Sequence, residues 1–185
     1  MAVKSEKPVI AVTGGGQGIG KGVILYFAKH GYNAAVLDIN HETAKLVAKE
    51  CEDLGAEAIA IRCDVTDRDS VKKAYDELFE RYGRLDVQVN NAGILKRERI
   101  MDATPEVVDT IIDVNVHGVI NTSHAAMQIM VQQRSGSIIT AHSLLGDAMP
   151  DFGLGVYSAS KSFVRTLTRV MAAECAPDHV RASTF

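Results

Sequence analysis

Tyr157 and Lys161 stand at the two ends of Tyr157-Ser158-Ala159-Ser160-Lys161. Positions i and i+4 lie on one face of a helix, so the phenol and the ammonium are neighbours there. An adjacent ammonium favours the phenolate form of a tyrosine, and a tyrosine tuned in this way is a general acid and base for an oxygen-bearing substrate. Ser143 precedes the pair and carries a hydroxyl that can hydrogen-bond the same oxygen. Tyrosine–lysine pairs at this spacing also arise by accident on solvated helix faces, so the pair needs support from its surroundings.

A second cluster lies near the N-terminus, in Thr13-Gly14-Gly15-Gly16-Gln17-Gly18-Ile19-Gly20. Glycines at a strand-to-helix turn let the backbone bend tightly and approach a pyrophosphate, whose charge then sits at the helix N-terminus. The GxGxxG spacing is absent; Gly14, Gly18 and Gly20 provide a wider one. Gly15 to Lys21 also fits GxxxxGK, the front of a nucleotide-triphosphate loop, but Gly22 stands where a magnesium-holding Ser or Thr is needed. Asp38 favours a dinucleotide. It ends the next strand, where an acid can accept hydrogen bonds from both ribose hydroxyls of NAD and repel the 2′-phosphate of NADP. Within Ser158-x-x-Lys161 the chain also carries an SxxK, but neither SDN nor KTG accompanies it.

These residues need a scaffold, and the pattern of strand-like and helix-like segments supplies one. Strands are predicted at Val9–Thr13, Asn33–Asp38, Glu57–Cys63, Leu85–Asn90 and Ser137–Ala141, with the start of a sixth at Val180–Phe185. Helices are predicted at Gly20–His30, His41–Leu54, Asp67–Tyr82, Val114–Gln133 and Tyr157–Cys175, with a further helix start at Thr104-Pro105-Glu106. Strict strand–helix alternation argues for parallel βαβ units and a doubly wound α/β sheet. In such a sheet the ligand crevice lies beyond the C-terminal ends of the strands. Both clusters are predicted to sit there. With no repeat or linker, residues 1–185 read as a single domain.

Bulk properties narrow the classes. A net charge of -3, with no block of like charges, removes the electrostatic case for nucleic acid or an anionic membrane. No apolar run reaches spanning length, and the polar stretch Met1 to Lys7 lacks a signal peptide's apolar centre; the expected location is cytoplasmic. Cys51, Cys63 and Cys175 are odd in number and widely spaced, so reduced, buried thiols are expected. The histidines form no HExxH and no Cys/His cluster, and no metal site is expected.

Taken in order, Thr13-Gly14-x-x-x-Gly18-Ile19-Gly20, Asp38, Cys63-Asp64-Val65, Asn90-Asn91-Ala92-Gly93, Asn115, Ser143 and Tyr157-x-x-x-Lys161 resemble the short-chain dehydrogenase/reductase family. The resemblance covers nearly the whole chain and implies an extended Rossmann fold. It implies that Tyr157 is the general acid/base, that Lys161 supports it and bonds the nicotinamide ribose, that Ser143 polarises the carbonyl, and that Asn115 holds a water in a proton relay. It implies that Gly14, Gln17, Gly18, Ile19, Gly20, Asp38, Asp64, Val65, Asn91, Ala92 and Gly93, with Tyr157 and Lys161, hold NAD. The expected substrate is a secondary alcohol or ketone. The stretch Phe152-Gly153-Leu154-Gly155-Val156-Tyr157 has a faint likeness to acetoin/butanediol and polyol dehydrogenases of the family.

Two departures from the family pattern stand out. His142 precedes Ser143 where a second serine is common. After Phe185 the sequence given lacks the family's closing loop, substrate lid and final strand, so an incomplete C-terminus is expected. A non-catalytic NAD-binding fragment or pseudoenzyme, with an assembly or sensing role, is therefore the alternative. The resemblance further implies a homodimer through the helices at Val114–Gln133 and Tyr157–Cys175; the family's tetramer contacts draw on the C-terminal part absent here, so a tetramer is not expected.

Overall fold

The computed structural model describes residues 5–147 and 151–185; part of the polar N-terminal stretch lies outside them. Val9–Thr13 forms strand β1, and every residue of it is buried. Val9 and Ala11 point into one core, Ile10 and Val12 into the other. A strand buried on both faces is what helices packed on both sides of a parallel sheet require.

The remaining elements follow in alternation: α1 (Gly18–Lys29), β2 (Asn33–Asp38), α2 (His41–Asp53), β3 (Ala58–Arg62), α3 (Arg68–Tyr82), β4 (Val87–Asn90), α4 (Pro105–Ile112), α5 (Gly118–Gln133), β5 (Gly136–Thr140), α6 (Gly155–Cys175) and β6 (Val180–Thr184). All strand pairings are parallel. The sheet order is β3-β2-β1-β4-β5-β6, which is the doubly wound Rossmann arrangement expected from the sequence. The order reverses between β1 and β4, and that reversal opens a crevice at the C-terminal ends of the strands.

Local chemistry sets the helix starts. Asn40 caps α2 by accepting the amides of Glu42 and Thr43. Asp67 caps α3 through Asp69, and Thr104 caps α4 with Pro105 behind it. Gly83 closes α3 in the left-handed region, at φ 64°. Several predicted boundaries shift by one or two residues, as helix and strand ends commonly do. Helix α1 begins at Gly18 rather than Gly20, and α6 at Gly155 rather than Tyr157.

The helix predicted from Val114 is different in kind. Helix α4 runs directly into α5 through a π turn at Asp113–His117. One inserted residue in a helix swings the side chains around it to a new face. Here the wider turn carries Asn115, which is fully buried.

Beneath α3 and α5 the sheet carries a buried polar chain. Tyr75 donates its hydroxyl to Gln88 Oε1 at 2.7 Å. Gln88 Nε2 donates to Asn90 Oδ1 at 3.0 Å, which also accepts from the Thr122 hydroxyl at 2.8 Å. Asn90 Nδ2 donates to Ser123 Oγ at 2.8 Å. Each partner being satisfied, the chain fixes the helices in register on the sheet. Among the described residues no helix is long and apolar enough to cross a membrane.

Candidate active site

The C-terminal ends of β1 to β4 enclose a cavity of about 350 Å³, lined among others by Gly14, Gln17, Asp38, Asp64, Val65 and Asn91 to Ile94. A larger groove of about 740 Å³ runs between α3 and α5 on the outer flank. It lies away from the strand ends and from the tyrosine–lysine pair, so the smaller cavity is the one placed for chemistry.

The floor of that cavity is held by polar contacts between strand ends. Asn91 Nδ2 donates to the carbonyls of Thr13 and Gly14, both at 3.1 Å. The Thr13 hydroxyl accepts the amides of Asn91 and Ala92 at 3.1 and 3.2 Å. Backbone meets backbone closely at this point. A Cβ on Gly14, which sits at φ +62°, would stand 3.1 Å from Ala92 Cα, and one on Gly20 would stand 2.3 Å from the Gly14 carbonyl oxygen. A side chain is sterically excluded at Gly20, and at Gly14 it would be both crowded and strained by the positive φ.

The charge at the rim comes from Asp38, which is 9% exposed. Its Oδ2 accepts the amide of Gly16 and its Oδ1 the amide of Asn40, each at 2.9 Å. Each oxygen retains a lone pair for a further donor. Helix α1 has neither a side-chain cap nor an acid in its first turn, so its leading amides are available to an anion. A glycine cradle, an uncapped helix start and a rigidly held carboxylate fit a dinucleotide: pyrophosphate at α1, ribose hydroxyls at Asp38.

The second half of the site is assembled on α6. Lys161 is 6% exposed, and its Nζ lies 5.8 Å from the centroid of the Tyr157 ring. The same Nζ donates to the Ala141 carbonyl at 2.9 Å. Burial pushes the Lys161 ammonium below the usual lysine range. Asn115 and Lys161 both border Gly93: a Cβ there would meet Asn115 Oδ1 at 3.2 Å and Lys161 Nζ at 3.5 Å. Asn115 accepts the Ile94 amide at 2.8 Å, donates to the Ile94 carbonyl at 2.9 Å and donates to Ser160 Oγ at 3.1 Å. Ser160 Oγ donates in turn to the Tyr157 carbonyl at 2.6 Å. Ser143 follows β5 and opens a short 3-10 turn, Leu144–Gly146, its Oγ accepting the Leu145 amide at 3.2 Å.

Of the residues named from sequence, Gly14, Gln17, Asp38, Asp64, Val65, Asn91, Ala92 and Gly93 line one cavity. Gly18, Ile19 and Gly20 form the start of α1 beside it, with Ile19 69% exposed. Tyr157, Lys161 and Asn115 form a separate cluster on its flank. Ile39, Thr66, Ile94 and Val114 also line the cavity and were not anticipated. The first three directly follow residues that were. Val114 directly precedes Asn115, but the π turn that carries both is not legible in the periodicity. Among the described residues no group of His, Cys, Asp and Glu is arranged to hold a metal ion.

Comparison with known proteins accords with this geometry. The family described as short chain dehydrogenase matches residues 8–185. The chain is 37% identical over 174 residues to "Oxidoreductase UcpA" of Salmonella typhimurium, covering 94% of this chain and 66% of that protein. It is 35% identical over 181 residues to the 3-oxoacyl-[acyl-carrier-protein] reductase FabG of Thermotoga maritima, covering 98% of this chain and 73% of that protein. The chain thus spans about two thirds of the length of the first of these relatives. The crystal structure of NAD+-bound xylitol dehydrogenase superposes with a TM-score of 0.93 at 28% identity, over 96% of this chain and 68% of that one.

Proposed function

The chain belongs to the short chain dehydrogenase family of oxidoreductases, and we propose that its site oxidises a secondary alcohol, or reduces the matching ketone, with NAD(H) as partner. The observation that carries this reading is the flank cluster: a buried lysine 5.8 Å from the ring of Tyr157, beside a cavity whose rim carboxylate is Asp38. When bound, NAD supplies the hydride acceptor at its nicotinamide ring. This chain's own residues do the rest. Tyr157 takes the proton from the substrate hydroxyl, or returns it to the carbonyl oxygen. Ser143 donates a hydrogen bond to that oxygen as charge develops on it. Lys161, almost dry, stabilises the phenolate through an interaction that bulk water would screen. Asn115 holds the segment at Ile94 and the Ser160 hydroxyl, and so keeps Lys161 and Gly93 in place.

NAD rather than NADP is supported by Asp38, whose carboxylate faces the cavity with no basic residue lining it among the described residues. The xylitol dehydrogenase that superposes on the chain binds NAD+, and FabG of Thermotoga maritima is a ketone reductase by its name; together they support the alcohol/ketone class. A homodimer through α5 and α6 belongs to the same reading. Phe163 and Val170 on α6 are 45% and 49% exposed, an apolar surface suited to a second copy.

The test is Tyr157→Phe. Turnover of a secondary alcohol should fall by at least about a thousandfold, while NAD titration gives a nearly unchanged dissociation constant. Retained turnover refutes the role of Tyr157. A folded parent chain that does not bind NAD refutes the cofactor.

A further inference from the structure

His142 joins β5 to Ser143, and its imidazole is nearly enclosed. The side chain is 11% exposed, and Nε2 is buried with no hydrogen-bond partner among the described residues. Leaving a buried polar atom unpaired costs about 1–3 kcal/mol, so the position calls for a partner. The Asp147 carboxylate faces the ring, its Oδ2 3.7 Å from Nε2. Its other oxygen, Oδ1, is taken by Arg165 Nη1 of α6 at 2.8 Å. An approach of about 0.5 Å would bring Nε2 and Oδ2 into hydrogen-bonding range.

The ring lies against the turn that follows Ser143. A Cβ on Gly146 would stand 3.1 Å from His142 Nε2, 2.9 Å from the Ser162 amide nitrogen and 3.0 Å from Lys161 Cβ. Helix α6 grips the same turn. Ser162 donates its hydroxyl to the Gly146 carbonyl, and Arg165 holds Asp147. Lys161 Nζ holds the Ala141 carbonyl immediately before His142. Lys161, Ser162 and Arg165 are therefore the α6 side of a seam, and His142 and Asp147 the loop side. Ser143 lies within this seam, and its hydroxyl depends on the turn because Oγ accepts the Leu145 amide.

We infer that His142 is a positioning residue for Ser143: its Nε2–H donates to Asp147 Oδ2 and ties the turn Leu144–Gly146 down on α6. The Ser143 hydroxyl is thereby held at one height relative to the Tyr157–Lys161 pair. A proton at Nε2 serves in either the neutral or the charged ring. The inference rests on the reading of Ser143 as the group that orients the substrate oxygen.

His142→Phe fills the ring's volume without a donor, whereas His142→Gln restores an amide donor. Asp147→Ala removes the acceptor from an exposed position. Amide hydrogen exchange in the full chain reads the turn directly, at Leu145, Gly146 and Asp147, which bond Ser143 Oγ, the Ser143 carbonyl and the Leu144 carbonyl. His142→Phe and Asp147→Ala should each speed these three amides about tenfold, with β1 and β4 unchanged. The double variant should be no faster than either single, and His142→Gln should exchange at the parental rate. In turnover, His142→Phe should lower kcat about tenfold at unchanged KM for NAD, and His142→Gln should recover it. Parental exchange in His142→Phe and Asp147→Ala, or failure of His142→Gln to restore the turn, overturns the inference. A parent chain that does not turn over refutes the reading of Ser143, and the exchange comparison still decides whether His142 ties the turn.

Discussion

The carboxylate of Asp38 accepts the amide of Gly16 at 2.9 Å, so the end of β2 and the glycine turn after β1 hold each other. Asp38 is thus both a charge at the ribose position and an anchor for the pyrophosphate turn. The two roles separate in the variants. Asp38→Asn keeps an oxygen for the Gly16 amide and loses the charge; Asp38→Ala loses both. Asp38→Asn should tighten NADP binding by about tenfold or more, worth about 1.4 kcal/mol, with NAD affinity reduced only modestly. Asp38→Ala should weaken both cofactors. The measurement is a fluorescence titration with each, and unchanged selectivity in Asp38→Asn would show that another residue sets the preference.

Asn115 predicts a stability effect that a purely catalytic residue would not show. Its amide satisfies both the N–H and the C=O of Ile94 in a fully buried position. Asn115→Leu strands both groups and should cost about 3 kcal/mol. Urea denaturation of parent and variant measures it; a loss under about 1 kcal/mol would mean that Ile94 finds other partners.

Tyr75 and Gln88 should behave as one unit. Gln88→Leu leaves the Tyr75 hydroxyl unpaired, and Tyr75→Phe leaves Gln88 Oε1 unpaired, each costing about 1–3 kcal/mol. The double variant has no stranded partner in this pair. A double-mutant cycle should therefore give a coupling of about 1–2 kcal/mol, and additive losses would refute the pairing.

Alkali should unfold the chain through its buried acids. Burial pushes the Cys63 thiol up to about 12 and the Cys51 thiol up to about 11, from an ordinary 9.0. Burial also raises the Tyr75 and Tyr82 phenols. The unfolded chain releases these protons first, so their contribution to stability is whole below pH 9 and falls as pH rises through the folded values. Lys161 acts in the opposite sense, because burial makes the folded chain shed that proton first. With the Cys175 thiol, which burial also raises, five buried acids oppose one, and the urea midpoint should drop steadily above pH 9. A flat profile to pH 11 would contradict the burial of the two thiols. Cys63→Ala should shallow the decline.

How much was legible beforehand depends on the range of the interaction. Strand β1 declared itself by five consecutive apolar or small residues running into glycines, and α2, α3 and α4 by Asn40, Asp67 and Thr104 at their starts. These are local signals, written within one turn of chain. The residue types of the site were legible for the same reason: Gly14, Asp38, Tyr157 and Lys161 each sit at a fixed place in a βα unit. The π turn at Asp113–His117 was not. It adds one residue to a continuous helix with no proline or glycine inside the turn, only Gly118 after it, and it is held by the contacts of Asn115 with Ile94 and Ser160, which are distant in sequence.

The same holds for the charges and the packing. Sequence order placed an acid at the end of β2, but that Asp38 also holds Gly16 follows from the parallel register of β1 and β2. Nothing in the composition distinguishes His142 from a surface histidine. Its enclosure arises only when the turn after β5 is laid on α6, with Gly146 against Lys161 and Ser162. Elements and residue types are set by the chain's local preferences. Which side chains are dry, paired or left without a partner is set by contacts between segments far apart in sequence, and those exist only in the folded chain.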